Sequence, residues 1–144
     1  HMALPTKITL EIVTPDRALV TEQGDELQLP GAQGSFGVLP GHTPLLASLQ
    51  VGELWYRQGG EQHYLAIAFG FVEVLPDHVT VLAQVAERAQ DIDVARAEAA
   101  KKRAEERLAQ PMSAQQQMDF ERARIALMKS LIRLQVASRA RTRV

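Results

Sequence analysis

The sequence predicts an α+β protein, an antiparallel β-sandwich followed by a two-helix hairpin, and three observations predict it. Up to about residue 86, apolar residues recur with a period of two between turn residues. After residue 90 glycine disappears, Pro111 is the only proline, and the apolar period becomes that of helices. Charge divides in the same direction: residues 1–110 carry nine Lys/Arg against fifteen Asp/Glu, a net of −6, and the remainder carries seven against two, +5. The expected units are a sandwich over residues 3–88 and a hairpin over residues 89–144.

Taken in order, Thr6 to Thr14 alternates Ile8, Leu10 and Ile12 against Thr9, Glu11 and Val13, and Pro15-Asp16 closes it. Further strands are predicted at Leu27–Leu29, Gly34–Leu39, Leu45–Leu49, Glu53–Arg57, His63–Ala68, Phe71–Leu75 and Val79–Ala83. Gln58-Gly59-Gly60-Glu61 and Pro76-Asp77-His78 sit where tight hairpin turns belong. Strands this short and this closely spaced favour an antiparallel sandwich.

The first helix is predicted over Asp93–Ala109, a stretch rich in Ala, Glu, Lys and Arg, with Asp91 or Asp93 placed to cap its first turn. Gln110 to Ala114 holds the break, and the second helix is predicted from roughly Gln115 to Ala137. Its apolar residues occupy more than one stripe, Met118, Ile125 and Ile132 in one series and Phe120, Leu127 and Leu134 in another. The first helix offers mainly alanines and Leu108 in return. Burying alanine stabilises far less than burying leucine, so the hairpin is expected to be weakly held, with apolar surface left for another partner.

With 46% apolar and 23% charged residues, the chain reads as a globular protein. No apolar run reaches the roughly 18 residues that span a bilayer. His1-Met2 reads as the remnant of a cleaved purification tag and is left out of fold reasoning. The absence of cysteine excludes disulfides and thiolate chemistry, and with no secretory signal ahead of the first strand a cytoplasmic setting fits. No Gly-rich phosphate loop ending in Lys-Ser/Thr and no supported Ser/His/Asp arrangement is present, so no catalytic site is expected. His42, His63 and His78 lack ligand spacing, and no metal site is expected. From Arg122 onward there is no acidic residue, and this basic arm, which includes Arg124, Arg139, Arg141 and Arg143, expects an anionic partner or a solvated face. With Phe120 the only aromatic after residue 90, nucleic acid is not the expected partner.

Three segments carry a family resemblance: Gly34-Ser35-Phe36-Gly37-Val38-Leu39-Pro40-Gly41-His42-Thr43-Pro44-Leu45; Ala66 to Val74 followed by Val79 to Ala83; and Ala86-Glu87-Arg88-Ala89-Gln90-Asp91-Ile92-Asp93-Val94-Ala95-Arg96-Ala97. Together they resemble the epsilon subunits of bacterial F-type ATP synthases. The resemblance implies a sandwich of about ten strands, seated at the foot of the gamma subunit and touching the c-ring, with Ser35 and, in the loop Gly37–Pro44, His42 as the c-ring/gamma contact residues. It also implies a non-catalytic rotor subunit at the cytoplasmic face of the bacterial plasma membrane, peripheral to it. The hairpin would fold down on the sandwich or extend along gamma toward the alpha and beta subunits and block hydrolysis. Arg122, Arg124, Lys129 and Arg133 would form the inhibitory arm.

Ile92-Asp93-Val94-Ala95-Arg96-Ala97 is similar to the family's ATP-binding element, Ile/Leu-Asp-x-x-Arg-Ala. Asp93 can accept from an adenine amine and Arg96 can offer a guanidinium fork to phosphate; equally, Asp93 is a helix cap and Arg96 its neighbour one turn on. The resemblance extends this set to Glu87, Arg103, Lys129 and Arg133, with ATP as a regulatory ligand. Where nucleotide-binding relatives carry arginine, Lys129 keeps the charge and loses the planar fork. Two other readings of the same residues are a free-standing ATP-sensing domain outside any rotary enzyme and an adaptor that docks through its second helix.

Overall fold

The computed structural model describes residues 4–111 and 117–141. The chain divides into two compact units at Arg88/Ala89, which is where the apolar period changes.

The first unit contains eight strands: β1 (Ile8–Val13), β2 (Ala18–Gly24), β3 (Glu26–Gly31), β4 (Gly34–Val38), β5 (Leu45–Leu49), β6 (Gly52–Gln58), β7 (Glu61–Val74) and β8 (His78–Arg88). Hydrogen bonding runs β2-β1-β8-β7-β5-β3-β4, with β6 joining β3 and β7. All pairs are antiparallel except β1 with β8, which is parallel, so the sheet is mixed where a purely antiparallel one was predicted. The sheet folds over a single core that draws on every strand, including Ile8, Leu10, Ile12, Val20, Leu27, Val38, Leu49, Leu54, Tyr56, Ile67, Val72 and Val81. The alternation in β1 places Ile8, Leu10 and Ile12 inward and Thr9, Glu11 and Val13 on the other face.

The structure has eight strands where about ten were expected, and β7 spans two of the predicted ones. β7 pairs with β6 along Glu61–Ile67 and with β5 along Gly70–Val74. It changes partner at Phe69 (φ 62°) and Gly70 (φ 134°). A Cβ on Gly70 would stand 2.0 Å from the Leu82 carbonyl oxygen, so only glycine lets the two strands stay paired through the bend. The predicted strands His63–Ala68 and Phe71–Leu75 are therefore one strand with a kink. The sequence reading passed over β2 altogether, and β8 runs five residues past Ala83.

Asp25, at the corner between β2 and β3, ties the sandwich together. It pairs with Lys7 and with Arg57 (3.5 Å), and its Oδ2 accepts from the Gly59 amide in the β6–β7 turn at 2.7 Å. The hydrogen bond from Lys7, then the one from Gly59, hold its carboxyl below the ordinary value of 3.8.

The second unit opens with a 3-10 turn (Ala89–Asp91), followed by α1 (Val94–Leu108) and α2 (Gln117–Arg141), and both the turn and α1 pack on α2. α1 starts where predicted: Asp93 is its N-cap, and Oδ1 accepts from the Arg96 amide at 3.1 Å. Most of the predicted break over 110–114, and the predicted start of the second helix at Gln115, lie outside the described residues, as does Arg143. The buried positions on α1 are Ala97 and Ala104. On α2, Ala123, Ser130 and Ala137 are buried at the same spacing of seven. Ser130 tolerates burial because its hydroxyl donates to the Ala126 carbonyl at 2.8 Å. Small residues let the helices approach closely but bury little apolar area.

Candidate functional site: a basic groove on the helical hairpin

Helix periodicity puts Arg96, Arg103 and Arg107 along one side of α1, and Arg122, Lys129 and Arg133 along one side of α2. A cleft of about 460 Å³ between the helices is lined by Arg103, Glu106 and Arg107 from α1 and by Arg122 from α2, with Ala104 and Ala123 among the residues at its floor. The cleft thus brings together Arg103, Arg107 and Arg122, whereas Arg96, Lys129 and Arg133 are not among its lining residues. A guanidinium presents its N–H groups as a planar fork, and several forks beside one cleft form a donor set suited to phosphate oxygens.

Within the predicted nucleotide element the residues divide by environment. Ile92 and Ala97 are buried packing residues, Asp93 is the cap, and Arg96 is exposed on the first turn of α1. Capping uses one carboxylate oxygen of Asp93 and leaves the other able to accept from a ligand. The cap is thus formed without using up the side chain's acceptors. Lys129 and Arg133 stand four residues apart on α2, each half-buried. Glu87 belongs to the sandwich unit, near the end of β8, where it pairs with Ala66.

Arg122 and Arg124, expected in an inhibitory arm, both have acidic neighbours one turn back. Arg122 lies 3.7 Å from Asp119. Arg124 forks onto Glu121 through Nε and Nη2, the closest approach being 3.0 Å. The bond from Arg124 lowers the Glu121 carboxyl and the same bond raises the Arg124 guanidinium. Exposed pairs of this kind contribute little stability and exchange readily with an external carboxylate. Arg107 is the groove residue that sequence reasoning missed; its spacing of four from Arg103 was the available signal.

On the sandwich, Ser35 is exposed in β4, opposite Pro30. His42 lies in the loop between β4 and β5, half-buried, with Nδ1 2.6 Å from the Thr43 carbonyl oxygen. A carbonyl only accepts, so Nδ1 donates the proton in this contact. Gly41 (φ 85°) shapes this loop, and its amide donates to Pro76 at 2.7 Å. Among the described residues, no group of three or more His, Cys, Asp or Glu side chains stands close enough to hold a metal ion.

Comparison with known proteins agrees with this two-part architecture. Residues 7–89 match the ATP synthase delta/epsilon chain β-sandwich domain, and residues 90–138 match the long α-helix domain of the same chain. The chain belongs to the ATP synthase delta/epsilon chain family. Bacterial relatives include the ATP synthase epsilon chain 2 of Syntrophotalea carbinolica, 48% identical over 92% of this chain and 95% of that one. The epsilon chain of Nitratidesulfovibrio vulgaris is 48% identical over 91% and 96%. Among solved structures, a chain of the Euglena gracilis mitochondrial ATP synthase superposes with a TM-score of 0.70 at 21% identity, covering 97% of this chain and 82% of that one. A chain of the Tetrahymena thermophila central stalk/c-ring gives 0.59 at 14% identity, covering 97% and 100%. The family's two domains meet at residues 89 and 90, next to the division between the units. Among the described residues no helix is long and apolar enough to cross a membrane.

Proposed function

We propose that this chain is the non-catalytic epsilon subunit of a bacterial proton-translocating ATP synthase, a central-stalk rotor component whose helical hairpin restrains ATP hydrolysis and is held closed by ATP. The observation that carries this reading is the family match across both units, residues 7–89 and 90–138. In this reading the sandwich meets the gamma subunit and the c-ring. Phe71 and Leu82 face each other across β7 and β8 and are about half exposed, an apolar surface suited to a protein partner. The β4–β5 loop with His42 and the neighbouring Ser35 meet the c-ring.

The packing of the hairpin suits a switch. Among the described residues, the buried apolar side chains of α1 and α2 are Ala97, Ala104, Ala123, Val136 and Ala137, four methyl groups at about 0.8 kcal/mol each and one valine at about 1.5–3 kcal/mol, a modest total for a two-helix unit. ATP bound along the basic side of the hairpin would be held by Arg96, Arg103, Lys129 and Arg133 at its phosphates and by Asp93 at its base, and would supply negative charge between two like-charged helix faces. With the ligand gone, repulsion between those faces favours opening, and α2 is freed to meet acidic partners on the alpha and beta subunits. The complex works at the cytoplasmic face of the plasma membrane, to which this chain is peripheral.

Calorimetric titration of the purified chain with ATP, and with ADP as control, tests the latch. Binding of ATP in preference to ADP, weakened in Arg96→Ala without loss of fold, is the expected result. Absence of binding at millimolar ATP refutes the latch and reduces Asp93 to a helix cap.

A further inference from the structure

The strand that leads into the hairpin has an unusual ending. β8 is flanked on one edge by β1 only from His78 to Leu82. From Val85 to Arg88 it pairs with β7 alone. A strand end held on one edge frays readily. Here Arg88, the last residue of the sandwich unit, reaches to β2: its Nη2 donates to the Leu19 carbonyl at 2.8 Å. Leu19 packs against the core, so the clamp grips a strand that is itself anchored. β2 is fastened a second time three residues on, where the hydroxyl of fully buried Tyr56 donates to Glu22 at 3.0 Å.

Immediately after Arg88 the chain enters the 3-10 turn that packs on α2, within the hairpin unit. We propose that Arg88 is a hinge stop: its clamp on Leu19 keeps β8 closed to its last residue, so that hairpin motion is confined to the Arg88–Ala89 junction and does not peel β8 from β7. This rests on the mobile hairpin proposed above, but the clamp is measurable without any hydrolysis assay.

Hydrogen exchange on the full-length chain tests it. In the unsubstituted protein, the hydrogen-bonded amides of Val85–Arg88 should exchange in the slow class of the sandwich, with protection falling at Ala89. In Arg88→Ala, loss of a charged hydrogen bond should accelerate Val85–Arg88 by about tenfold or more and move that boundary back toward Gln84, while Thr9–Val13 and Val79–Leu82 stay unchanged. Tyr56→Phe, which keeps the bond from Arg88 to Leu19, should loosen β2 around Glu22 and leave the boundary at Arg88. An unchanged boundary in Arg88→Ala overturns the proposal, as does a Tyr56→Phe protein whose boundary moves equally. If ATP fails to bind and hydrolysis is unaffected by the hairpin, the proposed function fails while the exchange boundary still judges the clamp.

Discussion

Replacing Gly70 with alanine tests whether β7 truly passes between layers through a backbone that only glycine allows. The added Cβ would lie 2.0 Å from the Leu82 carbonyl oxygen and 2.9 Å from the Ala83 Cα, both backbone atoms of the strand paired with β7. Neither can rotate away as a side-chain tip would, so β8 must shift by more than an ångström or the pair must separate. Holding an L-residue at φ 134° costs about 1–3 kcal/mol, and the displaced packing adds about 1–3 kcal/mol more. The expected loss is therefore about 2–6 kcal/mol, from a total that is typically about 5–15 kcal/mol. Trp55 in β6, the single tryptophan, makes urea unfolding followed by fluorescence a report on the sandwich alone. At a slope of about 2 kcal/mol per molar, the midpoint should fall by about 1–3 M. Gly59→Ala is the matched control: φ is 59° and no atom lies within 4 Å of the new carbon, so its cost should be about 1 kcal/mol. A Gly70→Ala midpoint no lower than that of Gly59→Ala would refute the reasoning.

Asp25→Asn should flatten the acid limb of the stability profile. The folded carboxyl titrates below its ordinary 3.8, so its contribution is complete above the unfolded value and fades as pH falls through the folded one. Thermal unfolding between neutral pH and pH 3 reads the difference. Asp93→Ala should lower the stability of the hairpin by about 1 kcal/mol through the lost cap, seen by circular dichroism in urea, and should also weaken ATP. Asp93→Asn should keep the cap and still weaken ATP, which separates the two roles. Ala104→Leu should overpack the seam by about 1–3 kcal/mol, comparable to what the alanines contribute, and lengthen the distance between labels on α1 and α2.

The helical unit was the more legible half. Asp93 sits where capping chemistry requires and the bounds of α1 differ from the prediction by one residue at each end, but on α2 the buried positions are Ala123, Ser130, Val136 and Ala137 rather than the predicted stripes, Met118 is exposed, and the helix runs to Arg141 rather than about Ala137. The sandwich was harder to read where tertiary pairing overrides local pattern. β2 places only Val20 and Gly24 inside and exposes Thr21 and Gln23, so its alternation barely registers above that of a loop. Gly70 looked like a strand break because glycine usually ends strands, whereas close approach to β8 makes it the residue that lets one strand continue. The parallel pairing of β1 with β8 joins segments some seventy residues apart and leaves no local trace. Asp93 and Arg96 were visible through a motif and Arg103 through the wider resemblance, and the i,i+3 acidic neighbours of Arg122 and Arg124 were open to a sequence reading, but the cleft that joins Arg103 and Arg107 to Arg122 exists only once the two helices are set side by side.

The most direct test of the central claim is the rate of ATP hydrolysis by the assembled ATP synthase carrying either the full chain or one ending at Arg88. The truncated chain retains all eight strands and the Arg88 clamp, so it should still assemble and couple. Faster hydrolysis with the truncated chain than with the full one is the predicted result. Equal rates, with both chains present in the complex, would contradict the assignment of the hairpin as the element that restrains hydrolysis.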